Sequence, residues 1–231
     1  MKRAARFAGW LALALAALFL AVQLSFLARI WWWRDHNPST TAFMEATLER
    51  MRATRPDARV AQAWVPYDRI SNHLKRAIVA AEDARFVEHE GFDWDAIEKA
   101  LEKNRERGKV VAGASTISQQ LAKNLFLSAS RTPWRKGQEA LITVMIEHVM
   151  DKRRILEVYL NVIEWGEGVF GAEAAARHYF GTSAAGLSPE AAARLAAMVP
   201  NPRFYDHNRN TRWLTRKTQT ILARMPAAEL P

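Results

Sequence analysis

The sequence predicts a mostly α-helical domain behind one N-terminal membrane-spanning helix, and three observations predict it. No charge interrupts the chain from Phe7 to Ala28, a run long enough to cross a hydrocarbon core of ~30 Å as a helix. Beyond it, apolar residues recur at helical spacing behind residues suited to cap a helix. Alternating strand patterns are scarce, with Val60 to Val65 the one fair candidate.

The 231 residues suffice for one domain with a real core and a short appendage. There is no cysteine, which excludes a disulfide framework, a thiolate metal site and a cysteine nucleophile. The formal net charge of +9 favours an anionic partner: nucleic acid, acidic lipid headgroups or a phosphorylated substrate.

The apolar run chooses among these. Lys2, Arg3 and Arg6 precede it, and Trp31, Trp32 and Trp33 follow, where an aromatic belt would sit at the membrane interface. A cleaved secretory signal has a shorter apolar region of ~7–15 residues and a small-residue cleavage site. Here the run continues through Gln23, Leu24, Ser25, Phe26 and Leu27 without such a site, so an uncleaved anchor is expected. The early basic residues put the N-terminus inside, although Arg29 and Arg34 weaken the asymmetry. The body then lies outside, where nucleic acid is not a partner. The expected organisation is a cytoplasmic tip and anchor over 1–34, a linker and membrane-proximal helix over 35–59, and the main domain over 60–231.

After a polar turn from Asn37 to Thr41 around Pro38, Phe43, Leu48 and Met51 define a helix whose apolar face either packs or lies on the membrane surface, packing being preferred. Leu74, Ile78 and Ala81 share the face of the next helix. Trp94, Ile97 and Leu101 follow Asp93, a good N-cap. Ile117, Leu121 and Leu125 form a stripe that Ser115 or Thr116 can cap. Trp134 to Met150 is apolar on most sides and is expected to be a central buried helix. Asp151 can start a helix carrying Ile155, Leu156 and Tyr159; Ser188-Pro189-Glu190 is a strong helix start, and Thr211 to Arg224 reads as a terminal helix.

Four clusters combine polar groups with this helical context. In the first, a packed helix ends in Glu82 and Asp83 ahead of Phe86, His89 and a turn at Gly91. A carboxylate desolvated there would have the raised pKa that suits a general base; a solvated helix end is the bland alternative. The second holds Ser115, Thr116, Gln119, Gln120, Lys123 and Asn124. Ser115, Gln119 and Lys123 recur every four residues on one face suited to a sugar or phosphate, or merely to water. The third sets Arg131, Arg135 and Lys136 ahead of Glu139, which risks burial and needs a partner; a salt bridge to Arg135 or Lys136 is the structural reading. In the fourth, Glu157 and Asn161 are expected to tie down neighbouring loops of a packed helix. None of the six histidines pairs at zinc-ligand spacing, and Gly108 to Gly113 lacks the ending of a phosphate loop.

Taken in order, the clusters resemble the signature motifs of the peptidoglycan glycosyltransferases, glycosyltransferase family 51, in the monofunctional biosynthetic branch. The motifs run E-D-x-x-F-x-x-H-x-G from Glu82, G-x-S-T-x-x-Q-Q-x-x-K-N from Gly113, R-K-x-x-E from Arg135 and K-x-x-I-L-E-x-Y-x-N from Lys152. Arg177 to Gly181, and Trp64-Val65-Pro66-Tyr67, are also similar to the family. The resemblance covers Val60 to Tyr205, and several motifs in register are a specific signal where one is weak.

The resemblance implies a lysozyme-like fold with a helical large lobe and a small mobile lobe near the membrane, to which Lys103–Val110 is assigned. It implies Glu82 as catalytic base and Glu139 as second essential carboxylate. Asp83, Phe86, His89, Ser115, Thr116, Gln119, Gln120, Lys123, Asn124, Arg131, Arg135 and Lys136 are assigned to substrate binding. The implied substrate is lipid II, added to a nascent glycan strand at the outer face of the cytoplasmic (inner) membrane. Membrane lipids are further partners, and cell-wall synthesis or division proteins are candidate ones. No cofactor is required; a divalent cation (Mg2+ or Mn2+) could assist pyrophosphate departure, but no oxygen-ligand cluster marks a site. No Ser-x-x-Lys nucleophile follows the last helix, so peptide cross-linking is not expected. The rivals are a membrane-bound lytic transglycosylase or muramidase, which needs a general acid and cleaves lipid-free polymer, and a non-catalytic scaffold, which would tolerate loss of Glu82.

Overall fold

The computed structural model describes residues 2–128, 130 and 132–231. Helix α1 (Lys2–Asp35) has 34 residues, and among the described helices it is the one long and apolar enough to cross a membrane. Most of its side chains are exposed. The exceptions form one stripe at helical spacing: Gln23, Ile30 and Trp33 are buried, and Phe26 and Leu27 half-buried. At the end of α1, Arg154 donates to Trp33 O at 3.0 and 2.9 Å and to His36 O at 2.6 Å, taking up carbonyls that a helix end leaves unpaired.

Helix α2 (Ala42–Arg52) is capped by Thr41 and buries Met44, Thr47 and Met51, so its apolar face packs. Helix α3 (Asn72–Glu82) follows the Ser71 cap, with Leu74 and Ile78 wholly buried. Helix α4 (Trp94–Arg107) starts on Asp93, whose carboxylate accepts from Ala96 N. Helix α5 (Ile117–Phe126) opens on a reciprocal capping box between Thr116 and Gln119, which settles the choice of cap. Then come α6 (Pro133–Val149), α7 (Lys152–Val162) capped by Asp151, and α8 (Ala172–Phe180). Helix α9 (Pro189–Met198) has the Ser188 cap and proline start, α10 (Pro202–His207) is short, and α11 (Arg212–Arg224) begins on Thr211.

Helix α3 packs against α9 and α11, while α5 packs against α6 and α7. The two groups meet where Ile117 N donates to Asp83 Oδ2 at 2.9 Å, joining the end of α3 to the start of α5. A small sheet closes one side. Strands β1 (Ala61–Gln62), β2 (Glu164–Gly166) and β3 (Val169–Phe170) run in the order β1-β3-β2, with β1 parallel and β2 antiparallel to β3. The expected Val60–Val65 strand therefore shrinks to two residues. Asn161 replaces a ladder at its end, accepting from Val65 N at 2.8 Å and donating to Val65 O at 2.9 Å. Trp64 Nε1 donates to Glu157, so both fourth-cluster residues tie down this segment as expected.

One expectation needs correction. Helix α6 is not buried on most sides: Trp134 is 69% exposed and Val144 56%. Only Gln138, Glu139, Ile142, Thr143 and Ile146 are buried, because α1 lies along this helix and its outer apolar face has no core to meet. Helix α4 buries none of its residues, and Trp94 and Leu101 project outward.

Candidate active site

Glu82 is the last residue of α3, half-buried, and its Oε2 accepts from Gln120 Nε2 at 2.8 Å. The Gln120 amide is oriented from behind by the buried Tyr159 hydroxyl, which donates to its Oε1 at 2.9 Å. Burial pushes the Glu82 carboxyl above its ordinary value, opposed by the Gln120 hydrogen bond and by the Lys217 and Lys123 charges. This environment suits an acceptor of protons more than a bystander.

Asp83 faces the other way. Its two oxygens take Ile117 N and His89 Nε2, each at 2.9 Å. Thr116 Oγ1 donates to Gly91 O at 2.7 Å, and Gly91 sits at φ +90. Asp83, His89 and Thr116 thus spend their polar atoms on one another's segments and lock the start of α5 against the end of α3. Phe86 is wholly buried beside His89. Its assignment to substrate contact is corrected: it is part of the core.

The polar face of α5 opens on a cavity of about 300 Å³ lined by Phe43, Ser115, Gln119, Gln120, Lys123, Ser130, Arg135, Lys136 and Glu139. Past Phe43, Gln120 and Lys123 it continues into a cavity of about 400 Å³ bounded by Asn124, Asn201 and Arg203. On its other side, Ser115 also lines a hollow of about 270 Å³ walled by Glu82, Asp83 and Arg85. The second and third motifs therefore form one wall of an extended cleft with Glu82, from the first motif, along it. Arg131 lies outside the described residues.

Glu139 is the anionic centre of the first cavity. Its side chain is 4% exposed; Oε2 pairs with Arg135 at 2.5 Å and Oε1 accepts from Lys136 Nζ. Both salt bridges offered by the sequence form at once. Lys123 stands 5.5 Å from the Phe43 ring, and burial pushes its ammonium below the ordinary value while the Glu139 charge opposes the shift. A desolvated cation beside an already neutralised carboxylate is a receptor for anionic oxygen.

Sequence reasoning missed Lys217, Tyr159, Phe43, Ser130 and Arg203 as site neighbours. Lys217 had a signal: it lies between the buried Leu214 and Ile221 of α11, on the apolar stripe where a lysine needs a reason. Tyr159 was read as core, and it is both core and the support of Gln120. Among the described residues no group of three or more His, Asp or Glu side chains could hold a metal ion.

A family model described as Transglycosylase matches residues 48–226, most of the chain and every cleft residue described above except Phe43. The chain belongs to the transglycosylase family. It is 63% identical over 218 residues to a Chromobacterium violaceum protein named biosynthetic peptidoglycan transglycosylase, covering 94% of this chain and 96% of that one. A Dechloromonas aromatica protein of the same name is 61% identical over 231 residues, the whole of both chains. One from Laribacter hongkongensis is 62% identical, covering 94% of this chain and 96% of its own. This transglycosylase is accordingly an enzyme of peptidoglycan synthesis with a mostly helical, lysozyme-like domain, and α1 fits a single-pass anchor.

Proposed function

We propose that this transglycosylase polymerises lipid II into β-1,4-linked glycan by a single inverting displacement, with Glu82 as general base. The observation that carries the reading is the Glu82 carboxylate: desolvated, raised in pKa, aimed by Gln120 and set on the cleft wall beside Lys123. The acceptor sugar hydroxyl gives its proton to Glu82 as its oxygen attacks the anomeric carbon of the donor. The bond from that carbon to the pyrophosphate oxygen breaks, and polyprenyl pyrophosphate leaves with the electron pair. No covalent sugar–enzyme intermediate is needed.

Pyrophosphate is a good leaving group, so the protein's task is to hold its negative charge. Lys123 and Lys136, with Arg135, supply the positive charge that does so, and Arg131 belongs to the same assignment. Glu139 keeps Arg135 and Lys136 oriented rather than moving a proton. Ser115, Gln119 and Asn124 serve the sugar and phosphate hydroxyl and oxygen groups along the same wall.

The main domain, taken as 60–231 behind the anchor over 1–34 and the linker over 35–59, works on the outer face of the cytoplasmic membrane with the N-terminus inside. The exposed Trp94, Leu101, Val110, Trp134, Leu141 and Val144 support contact with the bilayer, where the lipid tail of the substrate is held. The nascent glycan strand and membrane lipids are its partners, and cell-wall synthesis or division proteins are candidates.

The test is polymerisation of labelled lipid II in detergent by wild type and Glu82→Gln. Long glycan from wild type and almost none from a folded variant supports the reaction and the base. Equal product from both removes Glu82 from the mechanism, and cleavage of lipid-free polymer by wild type would favour a lytic enzyme instead.

A further inference from the structure

We propose that Gln23, inside the anchor helix, is a positioning residue for the Arg135–Glu139 pair, which makes the membrane helix a working part of the site. The inference rests on the reading that the Glu139 cavity handles the lipid-linked donor.

Gln23 interrupts an otherwise apolar stretch, where a polar amide is disfavoured unless it finds a partner. It finds one across the helix interface: Gln23 Nε2 donates to Gln138 Oε1 at 2.9 Å, and both side chains are buried. Gln138 precedes Glu139 on α6 and lies three residues after Arg135, hence one turn away on the same side. Among the described residues the buried acceptor Gln23 Oε1 and the buried donor Arg135 Nε find no partner, and their senses are complementary. The polar link therefore reaches from the anchor to the first turns of α6, where the two residues that define the charged end of the cavity are mounted.

Elsewhere along α6 the contact with the anchor is apolar: Phe19 meets Trp134 at 6.0 Å between ring centroids, while Phe26 meets Phe126 of α5 at 5.0 Å. Such contacts hold two helices together without fixing the rotation of either about its axis. A hydrogen bond between two buried amides does fix it, since its energy falls steeply with misalignment. Rotation of the first turns of α6 would swing Arg135 and Glu139 out of register with Lys123 across the cavity, a displacement to which a transfer rate is sensitive.

The experiment is steady-state polymerisation of labelled lipid II by the full chain in proteoliposomes, comparing wild type, Gln23→Met, Gln138→Met and the double variant. Methionine keeps the side chain's length and suits the bilayer. Expected are a kcat about tenfold lower for each single variant with KM within about twofold, no further loss in the double variant, and a double variant that melts like wild type because both buried amides are gone. A kcat equal to wild type, a double variant slowed by the product of the two single effects, or a double variant whose melting temperature falls with its rate would each overturn the proposal. If wild type makes no polymer, the functional reading fails; if wild type and Gln23→Met polymerise equally, only this inference fails.

Discussion

Gln120 donates to Glu82 at 2.8 Å while accepting from the Tyr159 hydroxyl at 2.9 Å, so a single amide couples the carboxylate to a wholly buried phenol. Burial makes the Tyr159 hydroxyl still harder to ionise, so at any working pH it stays a donor and keeps Gln120 turned with its amino group toward Glu82.

The acid limb of the pH–rate profile should report Glu82. The base works when deprotonated, so the rate rises through a pKa above the ordinary 4.5, in the direction set by burial. Gln120→Leu removes a hydrogen bond that holds this pKa down, and the limb should move to higher pH. The kcat/KM profile of both proteins checks it; an unmoved limb would separate Gln120 from the base.

Glu82→Gln should stabilise the protein while inactivating it. The folded state raises this carboxyl's pKa, so it binds the proton more tightly than the unfolded chain does. That contribution is complete below the ordinary value of 4.5 and is lost as pH rises through the raised value. Above the raised value the wild type carries a desolvated charge that glutamine lacks. The variant should melt about 2 °C higher at pH 7.5, a scale of ~1 kcal/mol or less, with the gap closing in acid. Calorimetry across pH measures it.

Lys123 and Glu139 should separate in stability although both lower activity. Lys123→Met removes a desolvated cation and should cut turnover about 100-fold without loss of stability. Glu139→Gln leaves Arg135 and Lys136 without their acid and should cost about 3 kcal/mol as well as activity. Denaturant unfolding beside polymerisation rates distinguishes the two patterns.

Gly91→Ala should act at a distance. At φ +90 a Cβ would lie 2.8 Å from Thr143 Cγ2 and 3.0 Å from Glu147 Cγ, so the loop must shift. The cost is about 2–3 kcal/mol. Because Gly91 O accepts from the Thr116 cap, the start of α5 should loosen too. Faster amide exchange over Ile117–Gln120 would show it.

Most helices were legible because their signals are local. Asp93, Asp151, Ser188 and Thr211 each cap the helix they announce, and the Leu74–Ile78 and Ile117–Leu121–Leu125 stripes are wholly buried. The cleft was legible through its motifs, down to the two possible partners of Glu139, which both bind it. What stayed hidden depends on distant pairing. Strands of two or three residues carry no period to read, and β1 pairs with a strand distant in sequence, Ala61 opposite Val169. The outer face of α6 looked like core because an apolar residue left exposed and one packed in the interior are the same residue types. Phe86 illustrates the reverse limit: a motif position marks what the fold needs as readily as what the substrate touches.

The clamp of Arg154 on the carbonyls of Trp33 and His36 has a mechanical consequence. A catalytic domain on a slack tether samples many heights, and each encounter with a lipid-borne substrate must wait for the right one. With α1 as the membrane anchor proposed above, bolting it to α7 would hold the cleft at one altitude above the bilayer, and the approach of a lipid-borne substrate would become a search in two dimensions.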